Sequence, residues 1–149
     1  MNIPQNAEKI INNIMKQGYR PIIAHPERIN SVVSNPDSII PFIEMGCLTQ
    51  ITSGSILGLF GSKIKKTAEE MIVKNMAYII ASDGHNTKVR KPKISKAYKR
   101  ITELTDDENV KEMKKRTLQI INNEDMEYIE PNIGKKKKSL LSKIFNKKT

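Results

Sequence analysis

The spacing of apolar positions divides the chain into helices alternating with short strands. In residues 4–17, Ala7, Ile10, Ile11, Ile14 and Met15 recur at three- and four-residue intervals and form one stripe of an amphipathic helix. Pro4 suits the first turn of that helix, and Gly18 suits a left-handed C-terminal cap. Residues 19–25 have an apolar centre too short for a helix and read as a strand. Pro26 has no N–H for a sheet ladder and ends that strand at His25. Asn35 as cap and Pro36 in the first turn open a helix that runs to Met45 and stops at Gly46. Residues 47–53 are rich in β-branched side chains and read as a strand. The glycine-rich stretch 54–63 reads as a turn and short helix, with Ser62 capping a helix over 63–74 that turns Ile64, Ala68, Met71 and Ile72 inward. The apolar run 76–81 reads as a buried strand. Residues 93–104 and 107–122 read as two helices, the second opening on acids and closing among basic and polar residues, as a helix dipole prefers.

This order predicts an α/β fold, a parallel sheet covered by helices. In such folds chemistry gathers at the C-terminal ends of strands. Both histidines of the chain, His25 and His85, fall at such ends, and so does Asp83.

The length of 149 residues fits one domain. Charge changes the picture only at the C-terminus. Of the net charge of +10, residues 131–149 supply +7 as seven lysines without an acid, so the rest is only mildly basic. No nucleic-acid partner is expected from that balance. We read 1–130 as the folded domain and 131–149 as a basic, disordered tail; a loose hold of its lysines on an anionic membrane is the alternative. The single cysteine, Cys47, excludes an intrachain disulfide and sits in an apolar stretch, as a buried, inert thiol would. The N-terminus lacks the pattern of a secretory signal, and no apolar run reaches the ~20 residues of a membrane span. A soluble cytoplasmic protein is the expectation.

Asp83 and His85 stand two apart at the end of the third strand, where side chains point the same way, and can share a metal ion or a phosphate. His25 holds the matching position on the first strand; its alternative is a core or loop histidine with a satisfied hydrogen bond. Imidazole and carboxylate together suit zinc, manganese or iron better than calcium or magnesium. Such an ion polarises a phosphoryl oxygen and lowers the pKa of a bound water. Arg28 and Arg90 would then neutralise the phosphate; Arg90, in a loop of three cations whose alternative is a solvated basic loop, can grip it with two parallel hydrogen bonds. The 54–63 stretch lacks the Walker spacing, and its signal for phosphate is weak.

Three separated segments carry a resemblance: 18–28, ending His25-Pro26-Glu27-Arg28; 52–61; and 81–86 with Arg90. Together they resemble the bacterial capsule-type tyrosine phosphatases of the PHP (polymerase and histidinol phosphatase) superfamily, over residues 1 to about 130. The resemblance implies the C-terminal part of a distorted β/α barrel that holds divalent metal, usually manganese. It implies hydrolysis of phosphotyrosine on the kinase controlling capsule or exopolysaccharide synthesis. By it His25, Asp83 and His85 are metal ligands, and Arg28 and Arg90 contact the phosphate. Family members are longer and begin with a His-x-His strand, a further histidine and a glutamate strand, none of which occurs here. The chain is therefore expected to be the C-terminal half of the enzyme, with little or no activity alone. The alternatives are a non-catalytic module binding membrane or kinase through the basic tail, and another phosphoesterase of the superfamily.

Overall fold

The computed structural model describes residues 2–85 and 92–132. Arg90 and the lysine-rich stretch 135–149 lie outside the described residues.

Three short strands, β1 (Ile22–Ala24), β2 (Leu48–Thr52) and β3 (Ile79–Ala81), form a parallel sheet in the order β1-β2-β3. Ile22 pairs with Leu48, and Gln50 with Ile79. Parallel neighbours need crossovers, and helices supply both. From β1 the chain passes a 3₁₀ turn (Pro26–Arg28), α2 (Asn30–Ser34), a second 3₁₀ turn (Pro36–Ile39) and α3 (Ile40–Glu44). From β2 it passes α4 (Ser53–Ile56) and α5 (Ser62–Val73); α6 (Ile94–Leu104) and α7 (Asp107–Ile121) follow β3. The first helix, α1 (Ala7–Lys16), precedes the sheet.

The helix ends follow the residues expected to make them. Gly18, at φ 82°, closes α1: its N–H bonds the carbonyl of Met15, and the next N–H, of Tyr19, bonds that of Ile14. Asn35 accepts from the Asp37 N–H and Asp106 from the Asn109 N–H, each opening a helical segment. Other expectations change. The first helix opens at Ala7, so Pro4 lies ahead of it and not in its first turn. The helix expected over 36–45 is split, because Pro41 has no N–H to continue the ladder from the 3₁₀ turn. A further short helix, α2, appears where no apolar stripe announced one; Val32 alone of its residues is buried. Gly61, not Ser62, stands at the N-cap of α5.

The core lies on the sheet and between its crossovers, with Val32, Ile39, Ile43, Ile51, Ile56 and Met71 fully enclosed. Burial of each such side chain contributes ~1.5–3 kcal/mol. On α5, Ala68, Met71 and Ile72 face inward as expected, Ile64 is half-buried, and Thr67 joins the buried face. On α1, Ala7 and Ile11 pack against the core while Ile10 and Ile14 remain exposed. Cys47 is fully buried, and burial raises its thiol pKa. Among the described residues, no helix is long and apolar enough to cross a membrane.

Candidate functional site

The C-terminal ends of all three strands meet at one rim. At β1 the chain turns sharply through His25, whose backbone is left-handed (φ 41°) and whose N–H donates to the Gln50 carbonyl of β2 at 2.8 Å. The turn points Glu27 inward and Arg28 toward β3. Glu27 is wholly enclosed, and its Oε1 accepts from the Thr52 N–H at 3.1 Å and from Thr52 Oγ1 at 2.8 Å. Thr52 Oγ1 lies 2.7 Å from Ser55 Oγ, which extends the network into α4. Arg28 Nη1 donates to Asp83 Oδ2 at 3.0 Å, and the Arg28 guanidinium carbon sits 4.4 Å from the centre of the Phe60 ring.

Phe60 reaches that place because the chain folds back after α4. Gly58, at φ 80°, caps α4, and the Leu59 N–H returns to the Gly54 carbonyl at 2.8 Å. A Cβ on Gly54 would stand only 3.1 Å from Phe60 Cε2 and 3.2 Å from Leu59 Cδ2, so this close approach favours glycine. Between these residues and the end of β3 lies a small cleft of ≈ 120 Å³, lined by Ser53, Gly54, Leu57, Phe60, Ser82 and Asp83 among others.

Asp83 and His85 do come together, though strand alternation is not the reason. The strand ends at Ala81, and Asp83 turns through the left-handed region at φ 48°. The turn is held by the Gly84 N–H donating to Ser82 Oγ at 3.3 Å. His85 Nδ1 lies 2.8 Å from the Asp83 carbonyl and 3.6 Å from Asp83 Oδ1. A carbonyl only accepts, so this contact assigns the proton to Nδ1 and leaves the Nε2 lone pair, on an exposed ring, for another partner. Metal-binding histidines commonly use their second nitrogen in this way.

His25 sits at the same rim, with Nδ1 buried and without a partner among the described residues; so is Glu27 Oε2. The donor chemistry of His25, Asp83 and His85 suits a transition metal. Their arrangement goes less far: among the described residues no group of three or more His, Cys, Asp or Glu side chains gathers as one ion would require. Asp83 and His85 are adjacent, and His25 does not join them in such a group. Arg28 stands beside Asp83 as a phosphate-gripping residue would; Arg90 is outside the described residues. Sequence reasoning gave no role to Glu27, Thr52 or Phe60. The one signal was that all three lie within the segments of resemblance.

Residues 3–125 match the family described as capsular polysaccharide synthesis, CpsB/CapC. The chain belongs to the CpsB/CapC family. It is 38% identical over 89 residues to tyrosine-protein phosphatase YwqE of Bacillus subtilis, a match covering 60% of this chain and 35% of that protein. It is 44% identical over 84 residues to the putative tyrosine-protein phosphatase CapC of Staphylococcus aureus, covering 56% of this chain and 33% of that one. Among solved structures it resembles a chain from the crystal structures of YwqE from Bacillus subtilis and CpsB from Streptococcus pneumoniae, described as unique metal-dependent tyrosine phosphatases. The TM-score is 0.83 at 29% identity, covering 87% of this chain and 53% of that chain. The chain thus spans about a third of the length of these curated CpsB/CapC relatives and about half of the solved one.

Proposed function

We propose that this chain supplies the phosphate-gripping part of a metal-dependent phosphotyrosine phosphatase. The observation that carries the reading is the meeting of Arg28, Asp83 and His85 at the rim of a sheet that superposes closely on metal-dependent tyrosine phosphatases.

Arg28 spends one N–H on Asp83 and keeps further donors in the same plane for phosphate oxygens. The Phe60 face steadies its guanidinium from the side. Asp83 and His85, through Nε2, would hold a divalent metal, for which manganese is our choice; His25 stands apart from them at the same rim and would serve a separate position of a larger centre. When bound, the metal supplies a polarised phosphoryl oxygen and a water acidic enough to attack phosphorus. Three such ligands do not fill a multi-metal centre, so further ligands come from a polypeptide segment equivalent to the part of the relatives outside the match. With that segment the sheet closes into a PHP-type barrel. The same reading has the protein in the cytoplasm, acting on a capsule-type tyrosine kinase.

The test is hydrolysis of p-nitrophenyl phosphate with manganese. The chain alone is expected to stay near background. Mixed with a polypeptide covering the unmatched part of a relative, it is expected to turn over. Arg28→Ala is then expected to lower that turnover about a hundredfold, as loss of a transition-state hydrogen-bond donor does, and His85→Ala to lower it also. Full turnover by the chain alone would overturn the partial-site reading. A mixture that associates on gel filtration yet stays inert would overturn the phosphatase reading.

A further inference from the structure

The buried carboxylate of Glu27 is not among the groups assigned to metal or phosphate, yet it stands at the junction of both crossovers. A carboxylate enclosed completely is costly unless hydrogen-bonded. Among the described residues Glu27 is held through Thr52, whose backbone N–H at 3.1 Å and hydroxyl at 2.8 Å both donate to Oε1, while Oε2 is buried without a partner there. Thr52 is the last residue of β2, and its hydroxyl also lies against Ser55 of α4. Arg28 is the next residue after Glu27, on the same 3₁₀ turn. On its other side α4 leads through the Gly58 turn to Phe60, whose ring faces the Arg28 guanidinium. Glu27 and Thr52 therefore fix the two surfaces between which Arg28 is held.

We infer that Glu27 is a positioning residue, which locks the turn after β1 to the end of β2 and thereby aims Arg28 at Asp83 and at the substrate phosphate. The phosphate part of this inference rests on the function proposed above; the aiming of Arg28 does not. The device needs two acceptor contacts at a fixed distance. A glutamine oxygen reproduces both. An alanine provides neither. Thr52→Val keeps the β-branched strand residue and the N–H but removes the hydroxyl.

The experiment uses the full chain and two readings. The first is the NMR shift of the Arg28 side chain, which the ring current of Phe60 displaces. The second is affinity for inorganic phosphate by titration. In Glu27→Ala the displaced Arg28 signals are expected to move to the position of an exposed arginine. Phosphate affinity is expected to fall about tenfold, the equivalent of one charge-assisted hydrogen bond. In Glu27→Gln both readings are expected to be retained, and in Thr52→Val to fall partway. Should Glu27→Ala not fold, Thr52→Val decides alone. A folded Glu27→Ala or Thr52→Val with unchanged Arg28 signals overturns the inference. So does a Glu27→Gln that fails as badly as Glu27→Ala, since charge rather than aim would then be at work. A wild-type chain without affinity for phosphate counts against the function proposed above, and the Arg28 signals still decide the role of Glu27.

Discussion

His25 and Asp83 hold their side chains on backbone that an L-residue ordinarily avoids, at φ 41° and 48°. Such positions cost about 1–3 kcal/mol each and persist only where the surroundings impose them. At β1 the imposing contacts are the bond from the His25 N–H to Gln50 and the Glu27 clasp on Thr52. His25 adds a second cost, a buried Nδ1 without a partner among the described residues. Glycine at this position keeps the backbone bond and removes both costs, at the expense of chain entropy. His25→Gly is therefore expected to gain about 1 kcal/mol against urea, after that entropy is set against the relieved strain. A loss of stability would show that the His25 ring contributes packing that outweighs its strain. The residues at this rim differ in how far a sequence discloses them. His25, Asp83 and His85 could be found because imidazoles and a carboxylate follow apolar strands. Glu27 could not, because its role exists only through Thr52, 25 residues away.

Some boundaries announced by their own punctuation formed where expected, although Ser62 did not become the cap of α5. Gly18, Asn35 and Gly46 mark helix boundaries through local bonds, which is why a reading of neighbours suffices. Pro41 carries an equally local message, and it separates the 3₁₀ turn from α3 where one helix was expected. The pieces of that crossover are held to α5 by a contact no local pattern reveals. The Lys74 ammonium, just past the end of α5, donates to Asp37 Oδ1 and lies equally close, at 2.8 Å, to Glu70 Oε1. The hydrogen bonds it donates to Asp37 and then Glu70 raise its pKa above the ordinary lysine value of 10.5, against a smaller opposing effect of burial. A pKa raised on folding means that the folded chain holds the proton more tightly. The resulting stability is complete below about pH 10.5 and is lost as pH climbs through the higher folded value. Lys74 is partly exposed, so solvent screening keeps the contribution to about 0.5–1 kcal/mol. Lys74→Met is expected to lower the urea midpoint at pH 8, and the gap from wild type is expected to narrow in strongly alkaline buffer. A gap that stays constant with pH would mean that the side chain acts by packing alone.

Across the whole molecule, the alternation of strands and helices foretold the parallel sheet, because each crossover needs a helix and each strand end needs a turn. It did not foretell how the sheet is closed off beyond α7. Residues 123–132 form neither helix nor strand, yet they are tied to the body at several points. Arg20 Nη1 donates to the Met126 carbonyl at 2.6 Å, and the Asn132 N–H donates to the Lys74 carbonyl at 2.7 Å. Between these, the Ile129 N–H donates to the hydroxyl of Tyr78 at 2.9 Å. Tyr78 is fully buried just before β3, and its carbonyl also accepts from Arg116 of α7 at 3.2 Å. One side chain thus joins the entrance of the third strand to the last described segment, while its backbone joins the same strand to the last helix. Tyr78→Phe keeps the ring, the packing and the backbone contact, and removes only the bond to Ile129. The expected loss is about 1 kcal/mol, that of one hydrogen bond with its donor left unpaired. Amide exchange separates this from a general weakening of the core. The Ile129 amide and its neighbours are expected to exchange faster, while those of Ile51 and Met71 change only with global stability. Uniform acceleration across all of these amides would mean that residues 123–132 open only when the whole sheet does.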